Sequence, residues 1–251
     1  MFIDLSAIHD THTGMTRATL EAIPQNLASV RARIKAAALQ ANRNPASVRL
    51  LAVSKGWPAE VITTAYEAGQ MGFGENYLQE ALPKLGALKH QPGLIWHFIG
   101  ALQANKTRQV AEHFDWVHTV DRERIAQRLS DQRPVTLPPL NVCIEVRLGD
   151  EPGKSGVMPE ALAALVQYIT GLPQLRLRGL MCIPPPTAEV AAQRSGFRRL
   201  RELFDALNHQ GHRLDTLSMG MSGDFEAAIL EGSTMVRIGT AIFGTRPHKD
   251  L

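Results

Sequence analysis

Two segments near opposite ends of the chain each place one cation on or just after an apolar run. Lys55 follows the run 50–54, and Arg237 lies within the segment 235–240. Apolar runs of this kind predict strands that are covered on both faces, as in a parallel sheet packed by helices. A charged side chain on such a strand is costly unless an anionic or hydrogen-bonding partner meets it. The two cations therefore indicate a bound polar partner, and the glycine and threonine after Arg237 suggest that this partner carries a phosphate.

Lys55 is the candidate for covalent chemistry. It is followed by the sequence Gly-Trp-Pro, which predicts a turn directly after the strand. A lysine held in a partly dry site has a lowered pKa, so its neutral amine can attack a carbonyl and form a Schiff base. The alternative is that the side chain extends along apolar surface and reaches solvent at the rim. Considered by itself, Lys55 fits this alternative better, and only the residues near it can favour the covalent role.

Eight strand-like runs alternate with amphipathic helical patterns along the chain. We predict strands at 49–54, 71–74, 95–99, 116–120, 140–146, 177–183, 214–219 and 235–238. We predict helices at 24–41, 59–68, 78–88, 106–113, 122–131, 159–170, 189–209 and 225–230. Eight strands alternating with helices over about 250 residues predict an α/β fold of the (β/α)8 TIM-like barrel type. A doubly wound sheet is the alternative, but it usually has fewer strands, and no G-x-G-x-x-G follows the first one.

The fifth predicted strand supports the barrel. Val142, Ile144 and Val146 share one face, which can pack against helices. The other face carries polar or small residues, as expected for side chains that line a barrel interior: Asn141, Cys143 and Glu145.

Two loops could form a phosphate site at the carboxyl ends of the last strands. Gly239 and Thr240 follow the eighth strand, where barrels commonly bind phosphate through backbone N–H groups. The loop 218–224 ends the seventh strand and begins a helix, so its glycines and hydroxyls could close the other side of the phosphate. For Ser222 and Asp224 considered singly, ordinary helix capping is an equal alternative. The two loops side by side favour phosphate binding.

Arg237 is predicted to point into the barrel below these loops. It could form an ion pair with Glu145 across the barrel, or it could donate a hydrogen bond to a ring nitrogen of a bound heterocycle. A lysine for an aldehyde, a cup for a phosphate and a donor for a ring nitrogen together describe pyridoxal 5′-phosphate (PLP). The combination is more specific than any one of the three signals.

Composition bounds the class of protein. The chain has 251 residues, 44% of them hydrophobic, a length that suits one large α/β domain as well as two small ones. Its net charge is only +3, which does not favour nucleic-acid binding. A cluster of arginines at 194–201 is predicted to be a solvated helix face. Cys143 and Cys182 lie in apolar runs and predict core residues of a reduced, cytoplasmic protein without a metal site.

The sequence predicts neither a membrane-spanning segment nor a signal peptide. No stretch approaches the roughly 20 apolar residues that span a bilayer. Residues 1–15 do not resemble a signal peptide and are predicted to be a flexible extension. Residues 16–251 are predicted to form a single barrel domain.

Several stretches resemble the pyridoxal phosphate homeostasis proteins, which have the barrel fold of the N-terminal domain of alanine racemase. The matching stretches are 52–55, 73–77, 96–100, 102–106, 217–222 and 235–244. The resemblance covers nearly the whole chain and implies fold type III of PLP proteins. It implies that Lys55 holds the cofactor as a Schiff base, that Asn76 flanks the pyridine ring and that Arg237 faces its nitrogen. The phosphate would be bound by Ser222, Gly239 and Thr240.

The resemblance implies a carrier that helps control the supply of PLP, with no catalytic residue. PLP-dependent apo-enzymes are the implied recipients. The alternative is a PLP-dependent amino-acid racemase on the same barrel. Arg237 argues against it, because a permanently charged donor keeps the pyridine nitrogen unprotonated and weakens the ring as an electron sink. Racemases of this fold share such an arginine, so their second base, which an additional β domain supplies, discriminates better.

This chain is expected to lack that β domain, and a monomer is the simpler expectation without it. Tyr77 is the only tyrosine near the proposed site, and packing of its helix is the role that we expect. A third hypothesis is a barrel that binds another phosphorylated metabolite. Lys55 discriminates here, because a phosphate binder needs no inward amine on the first strand.

Overall fold

The computed structural model describes residues 17–149 and 155–245, in which eight parallel strands close into a barrel. The strands are β1 (Arg49–Val53), β2 (Gly72–Glu75), β3 (Ile95–Phe98), β4 (Trp116–Val120), β5 (Leu140–Glu145), β6 (Leu175–Met181), β7 (Thr216–Ser218) and β8 (Met235–Ile238). Each strand pairs with the next, and β8 closes the barrel against β1 with Arg237 opposite Leu51. The predicted (β/α)8 barrel is confirmed. The predicted extension 1–15 lies outside the described residues.

The helices alternate with the strands and cover the outside of the barrel. They are α1 (Arg17–Gln40), α2 (Ala59–Glu67), α3 (Leu78–Ala87), α4 (Thr107–His113), α5 (Glu123–Gln132), α6 (Pro159–Thr170), α7 (Val190–His209), α8 (Phe225–Leu230) and α9 (Thr240–Phe243). None of these described helices is long and apolar enough to cross a membrane.

Most predicted boundaries agree with the structure to within one or two residues, and a few elements differ more. Helix α1 begins at Arg17 and not at the predicted Pro24, which lies inside the helix. Helix α9 was not predicted, because four residues are too few to show a helical period. Strand β7 is three residues long, half the predicted length, since it begins two residues later and ends one residue earlier than predicted.

The apolar residues form two layers. The larger cluster lies between the strands and the helices and includes Val142, Ile144 and Val146, as the alternation in the fifth strand predicts. A smaller cluster fills the barrel interior with Trp116, Cys143 and Met181. Both cysteines are buried and free, and burial raises the pKa of each thiol to about 12. They therefore remain protonated core residues and are not nucleophiles.

The arginine cluster on α7 is matched by carboxylates. Arg194 and Arg198 both form ion pairs with Glu231, at 2.6 and 3.0 Å, and Arg201 pairs with Asp205 at 2.7 Å. These pairs offset much of the local positive charge, so this face is a mixed surface and not a basic patch of the kind that binds nucleic acid.

Candidate functional site

The structure brings all six predicted site residues to one cavity at the carboxyl ends of the strands. The cavity has a volume of about 300 Å³. Its polar and glycine lining includes Lys55, Asn76, Ser222, Arg237, Gly239 and Thr240. Its apolar lining, which the sequence analysis did not identify, includes Val53, Trp57, Ile99, Ile183 and Met221.

Lys55 comes directly after β1, in a tight turn that fixes its backbone. Gly56 has a φ of 76°, a left-handed conformation that favours glycine. Its N–H group donates to Glu80 Oε2 at 2.9 Å, and the Trp57 N–H group donates to the Ser54 carbonyl at 3.1 Å. The Lys55 side chain is half-buried and lines the cavity. Lys55 therefore borders the cavity, as a covalent role requires.

A buried ion pair joins the ends of β1 and β2 beneath the cavity. Lys84 Nζ donates to Glu75 Oε1 at 2.8 Å and to the Ser54 carbonyl at 3.0 Å. The Ser54 hydroxyl donates to the same carboxylate oxygen at 2.6 Å. Burial raises the pKa of Glu75, and Lys84 and Ser54 oppose that shift. Because Ser54 and Glu75 directly precede Lys55 and Asn76, this pair fixes two cavity residues relative to each other.

Asn76 presents an acceptor whose hydrogen-bonding capacity is unused. Its Oδ1 atom is buried and has no hydrogen-bond partner among the described residues. The backbone of Asn76 is held close to the segment that follows β3, since a Cβ atom on Gly100 would clash with the Asn76 carbonyl oxygen. Only glycine fits there. A buried polar atom without a partner is costly, so the side chain is arranged for a polar group placed in the cavity.

Arg237 is buried, with 4% of its surface exposed, and is rigidly held. Its Nη1 atom donates to the Ser218 carbonyl at 2.6 Å and to the Ser218 hydroxyl at 2.8 Å, and Nη2 donates to the Cys182 carbonyl at 2.9 Å. The described residues contain no ion pair between Arg237 and Glu145, so this alternative is wrong. Three of the five N–H groups of a guanidinium are used in these bonds, which leaves donors for the cavity.

The predicted phosphate cup lies between the β7–α8 loop and the start of α9. Helix α9 begins at Thr240, and N–H groups of the first turn have no partner inside a helix. The Ser222 hydroxyl accepts a long hydrogen bond from the Ala241 N–H group at 3.4 Å, so it faces α9. Asp224 accepts from the Met221 N–H group at 2.6 Å. No side chain caps α8 by a hydrogen bond, so capping does not account for Ser222 or Asp224.

Tyr77 lies outside this cavity, and 56% of its surface is exposed. The expectation that it packs its helix is therefore wrong. It occupies the position before the first residue of α3, where its side chain lies on the surface.

Glu145 borders an adjoining cavity of about 270 Å³ that shares Asn76, Ile99 and Ile183 with the first. Burial and, secondarily, Asp121 raise the pKa of Glu145 from 4.5 to about 7, although Arg237 opposes the shift. A carboxyl group with a raised pKa in the folded state gains protons on folding, so it favours folding more as the pH falls from about 7 to 4.5. Above pH 7 the buried charge opposes folding.

We therefore expect Glu145→Gln to stabilise the protein at pH 8 by roughly 3 kcal/mol and to have little effect at pH 4.5. Urea unfolding of both proteins across this range measures the difference. Glu202→Gln, on the exposed face of α7, is the matched control and should show no such dependence. An equal effect of Glu145→Gln at both pH values would contradict the raised pKa.

Comparisons with known proteins agree with this geometry. The family model described as alanine racemase, N-terminal domain, matches residues 19–247. A pyridoxal phosphate homeostasis protein of Pseudomonas aeruginosa is 60% identical over 91% of this chain and 98% of its own length. The protein of the same name from Escherichia coli K12 is 54% identical over 90% of this chain and 97% of its own length. The resemblance seen in the sequence motifs is confirmed.

Two solved structures relate to the barrel in different ways. PipY of Synechococcus elongatus, solved with PLP bound, has a TM-score of 0.79 and 40% identity, and the match covers 88% of this chain and all of that one. The alanine racemase of Corynebacterium glutamicum has a TM-score of 0.67 and 18% identity, over 92% of this chain and 63% of its own. The racemase shows a shared fold only.

Proposed function

We propose that this chain, which belongs to the pyridoxal phosphate homeostasis proteins within the alanine racemase N-terminal domain family, binds PLP and holds it for supply inside the cell. The observation that supports this most is the convergence in one cavity of an amine, a fixed guanidinium, an unpartnered amide oxygen and a glycine-rich cup. The relatives with this name cover nearly the whole chain.

The residues of the cavity fit the chemical groups of PLP. The unpartnered Asn76 Oδ1 and the remaining donors of Arg237 suit a polar ring. The backbone at Gly239 approaches β1 closely, since a Cβ atom there would lie 3.1 Å from the Val53 carbonyl oxygen. Side-chain bulk is therefore absent where a phosphate would meet backbone N–H groups.

Each polar residue has one proposed role. Lys55 forms a Schiff base with the aldehyde, in which the amine nitrogen bonds to the aldehyde carbon and one water molecule is released. Asn76 lies beside the pyridine ring, and Arg237 donates a hydrogen bond to its nitrogen. The phosphate is held by Ser222, Gly239 and Thr240.

We further propose that the protein is a carrier and not an enzyme. When bound, PLP supplies a ring that can accept electrons from a carbanion, most strongly when its nitrogen is protonated. Arg237 can only donate, and its position is fixed by three oxygen acceptors, two on Ser218 at the end of β7 and one on Cys182 directly after β6. It therefore holds the ring nitrogen unprotonated. The exchange of an α-proton also needs a positioned acid or base, which a carrier does not require.

The role of a carrier also sets the recipients and the location that we propose. Recipients are PLP-dependent apo-enzymes, which need the cofactor in its phosphorylated form. The protein acts in the cytoplasm, where both buried cysteines stay reduced, and it acts as a monomer.

The loaded protein should exchange the α-proton of L- or D-alanine in deuterated water far more slowly than an enzyme does. Weakening of the electron sink is expected to lower the rate. Among the described residues, the cavity lining contains no carboxylate, histidine or tyrosine that could act as a second base, and a positioned base is worth a further factor of about 10²–10⁴. Proton NMR of alanine and of a panel of other amino acids measures the exchange. Lys55→Ala should abolish whatever slow exchange remains.

Turnover on the order of 1 s⁻¹ or faster, typical of enzymes, would overturn the carrier role and favour the racemase. A barrel that binds a different phosphorylated metabolite remains distinguishable, because such a protein would leave PLP unattached to Lys55.

A further inference from the structure

A second cavity lies at the opposite mouth of the barrel, around the amino ends of the strands. It has a volume of about 440 Å³. Its charged and titratable lining consists of Arg31, Lys35, Arg49 and His97, and no carboxylate is among the lining residues. Barrel active sites form at the carboxyl ends of strands, so this cavity is separate from the PLP site.

A chain of hydrogen bonds crosses the barrel interior from the PLP site to this cavity. Arg237 Nη1 lies 2.8 Å from Ser218 Oγ, and Ser218 Oγ lies 2.8 Å from His118 Nδ1. His118 Nε2 lies 2.9 Å from His97 Nδ1. All four residues are buried, and His97 is the one that reaches the second cavity.

The chemistry of the side chains determines which atom donates in each of these hydrogen bonds. Arg237 can only donate, so Ser218 Oγ accepts its hydrogen bond. The only acceptor within reach of the Ser218 hydroxyl proton, among the described residues, is His118 Nδ1. A neutral His118 then carries its proton on Nε2 and donates to His97 Nδ1. A neutral His97 must carry its own proton on Nε2.

Both histidines are neutral because of where they lie. Burial, and then the nearby Arg49, lowers the pKa of His97 to about 3. Burial, and then His97 and Arg237, lowers the pKa of His118 well below its ordinary value. His118 and His97 therefore each carry a single ring proton, on Nε2.

His97 thus offers one N–H donor to the second cavity. The residue is 4% exposed, and its Nε2 atom has no hydrogen-bond partner among the described residues. That atom lies 3.7 Å from the position of a Cβ built on Gly72, another residue of the cavity lining. His118 occupies the other ring nitrogen, so Nε2–H is the donor that an acceptor bound in this cavity would meet.

The surroundings of His97 are rigid and positively charged. The Trp116 ring stacks on His97 with centroids 5.3 Å apart. The guanidinium groups of Arg49 and Arg178 lie 5.3 and 4.7 Å from the Trp116 ring centroid. Burial and the repulsion from Arg178 both lower the pKa of Arg49. Asp215 opposes this shift, but it pairs with Arg178 and is not part of the cavity lining. Arg49 Nη2 donates to Thr216 Oγ1 at 2.9 Å, and Arg49 forms no ion pair among the described residues.

We propose that this cavity is a second ligand site that binds a small oxyanion, a phosphate or a carboxylate group, through His97 Nε2–H and Arg49, with Lys35 at its rim. Each of these three side chains donates hydrogen bonds. The site therefore selects a ligand whose polar atoms accept hydrogen bonds and donate none. The ligand is a small molecule, because the cavity that these donors border has a volume of about 440 Å³. His97 is buried, whereas Arg49 and Lys35 are exposed.

The test uses the full chain without PLP, titrated separately with inorganic phosphate, with acetate and with uncharged glycerol. Proton–nitrogen NMR follows the His97 ring and the Trp116 indole at the second cavity, and the Gly239 and Thr240 amides at the PLP site. We expect saturable shifts at His97 and Trp116 with phosphate or acetate and none with glycerol. The stronger of the two anions identifies the ligand group. The shifts should persist in Ser222→Ala, since that change lies at the other mouth.

A pair of charge reversals checks that the anion binds in this cavity. Lys35→Glu places a negative charge at the rim and should weaken anion binding about fivefold at low ionic strength. Lys89→Glu makes the same change at an exposed site outside the lining and should have no effect. Anion shifts confined to Gly239 and Thr240, or equal effects of both reversals, would overturn the second site. This titration contains no PLP, so its outcome is independent of whether the proposed PLP site is correct.

Discussion

Pyridoxal, which lacks the phosphate, should bind this chain at least a hundredfold more weakly than pyridoxal 5′-phosphate. The cup formed around Ser222, Gly239 and Thr240 is proposed to make charge-assisted hydrogen bonds, each worth about 1.5–3 kcal/mol. Loss of two such bonds corresponds to an affinity lower by roughly 10²–10⁴-fold. Absorbance titration with each compound measures the ratio.

A matched pair of serine substitutions locates the effect. Ser222→Ala should weaken PLP binding about tenfold without changing the thermal midpoint of unfolding, because it removes one hydroxyl donor at a partly exposed position. Ser195→Ala, on the exposed face of α7, should leave the affinity unchanged. Equal affinities for pyridoxal and PLP would contradict the placement of the phosphate.

Lys84→Met should destabilise the folded protein by about 3–5 kcal/mol, since it removes one partner of a buried ion pair and leaves the other uncompensated. The Glu75 carboxylate is completely buried, and its Oε2 atom has no partner among the described residues. Without Lys84, only the Ser54 hydroxyl bonds to it among the described residues. Urea unfolding at pH 7 measures the loss.

Two further variants separate the ion pair from the size of the side chain. The double substitution Glu75→Gln with Lys84→Met should recover most of the lost stability, because no buried charge remains. Lys89→Met, at an exposed position after α3, should change stability by less than about 0.5 kcal/mol. A loss of similar size from Lys84→Met and Lys89→Met would show that the buried pair does not fix the ends of β1 and β2.

The parts of the site that could be predicted from the sequence are those next to a strand end. Lys55, Gly239 and Thr240 interrupt apolar runs, and strand order alone places their loops at one mouth of the barrel. Asn76 and Ser222 lie in motifs that carried the family resemblance. The inward position of Arg237 followed from the alternation of side chains along β8.

The contacts that hold these residues could not be predicted, because they depend on register between distant segments. His118 and Ser218 are 100 residues apart and meet only through the closure of the barrel. Lys84 reaches Glu75 from helix α3, and a lysine in a helix is expected from the sequence to lie on the surface. The raised pKa of Glu145 depends on burial, which the sequence pattern does not specify.

Borohydride reduction of the PLP-loaded protein, followed by mass mapping of its peptides, tests the central claim most directly. Borohydride converts a Schiff base into a stable secondary amine, so the cofactor becomes permanently attached to the lysine that held it. The account predicts one modified residue, Lys55, and no fixed cofactor in Lys55→Ala, although that variant should retain weaker, reversible binding through the phosphate cup. Attachment at any other lysine, or no attachment at all, would contradict it.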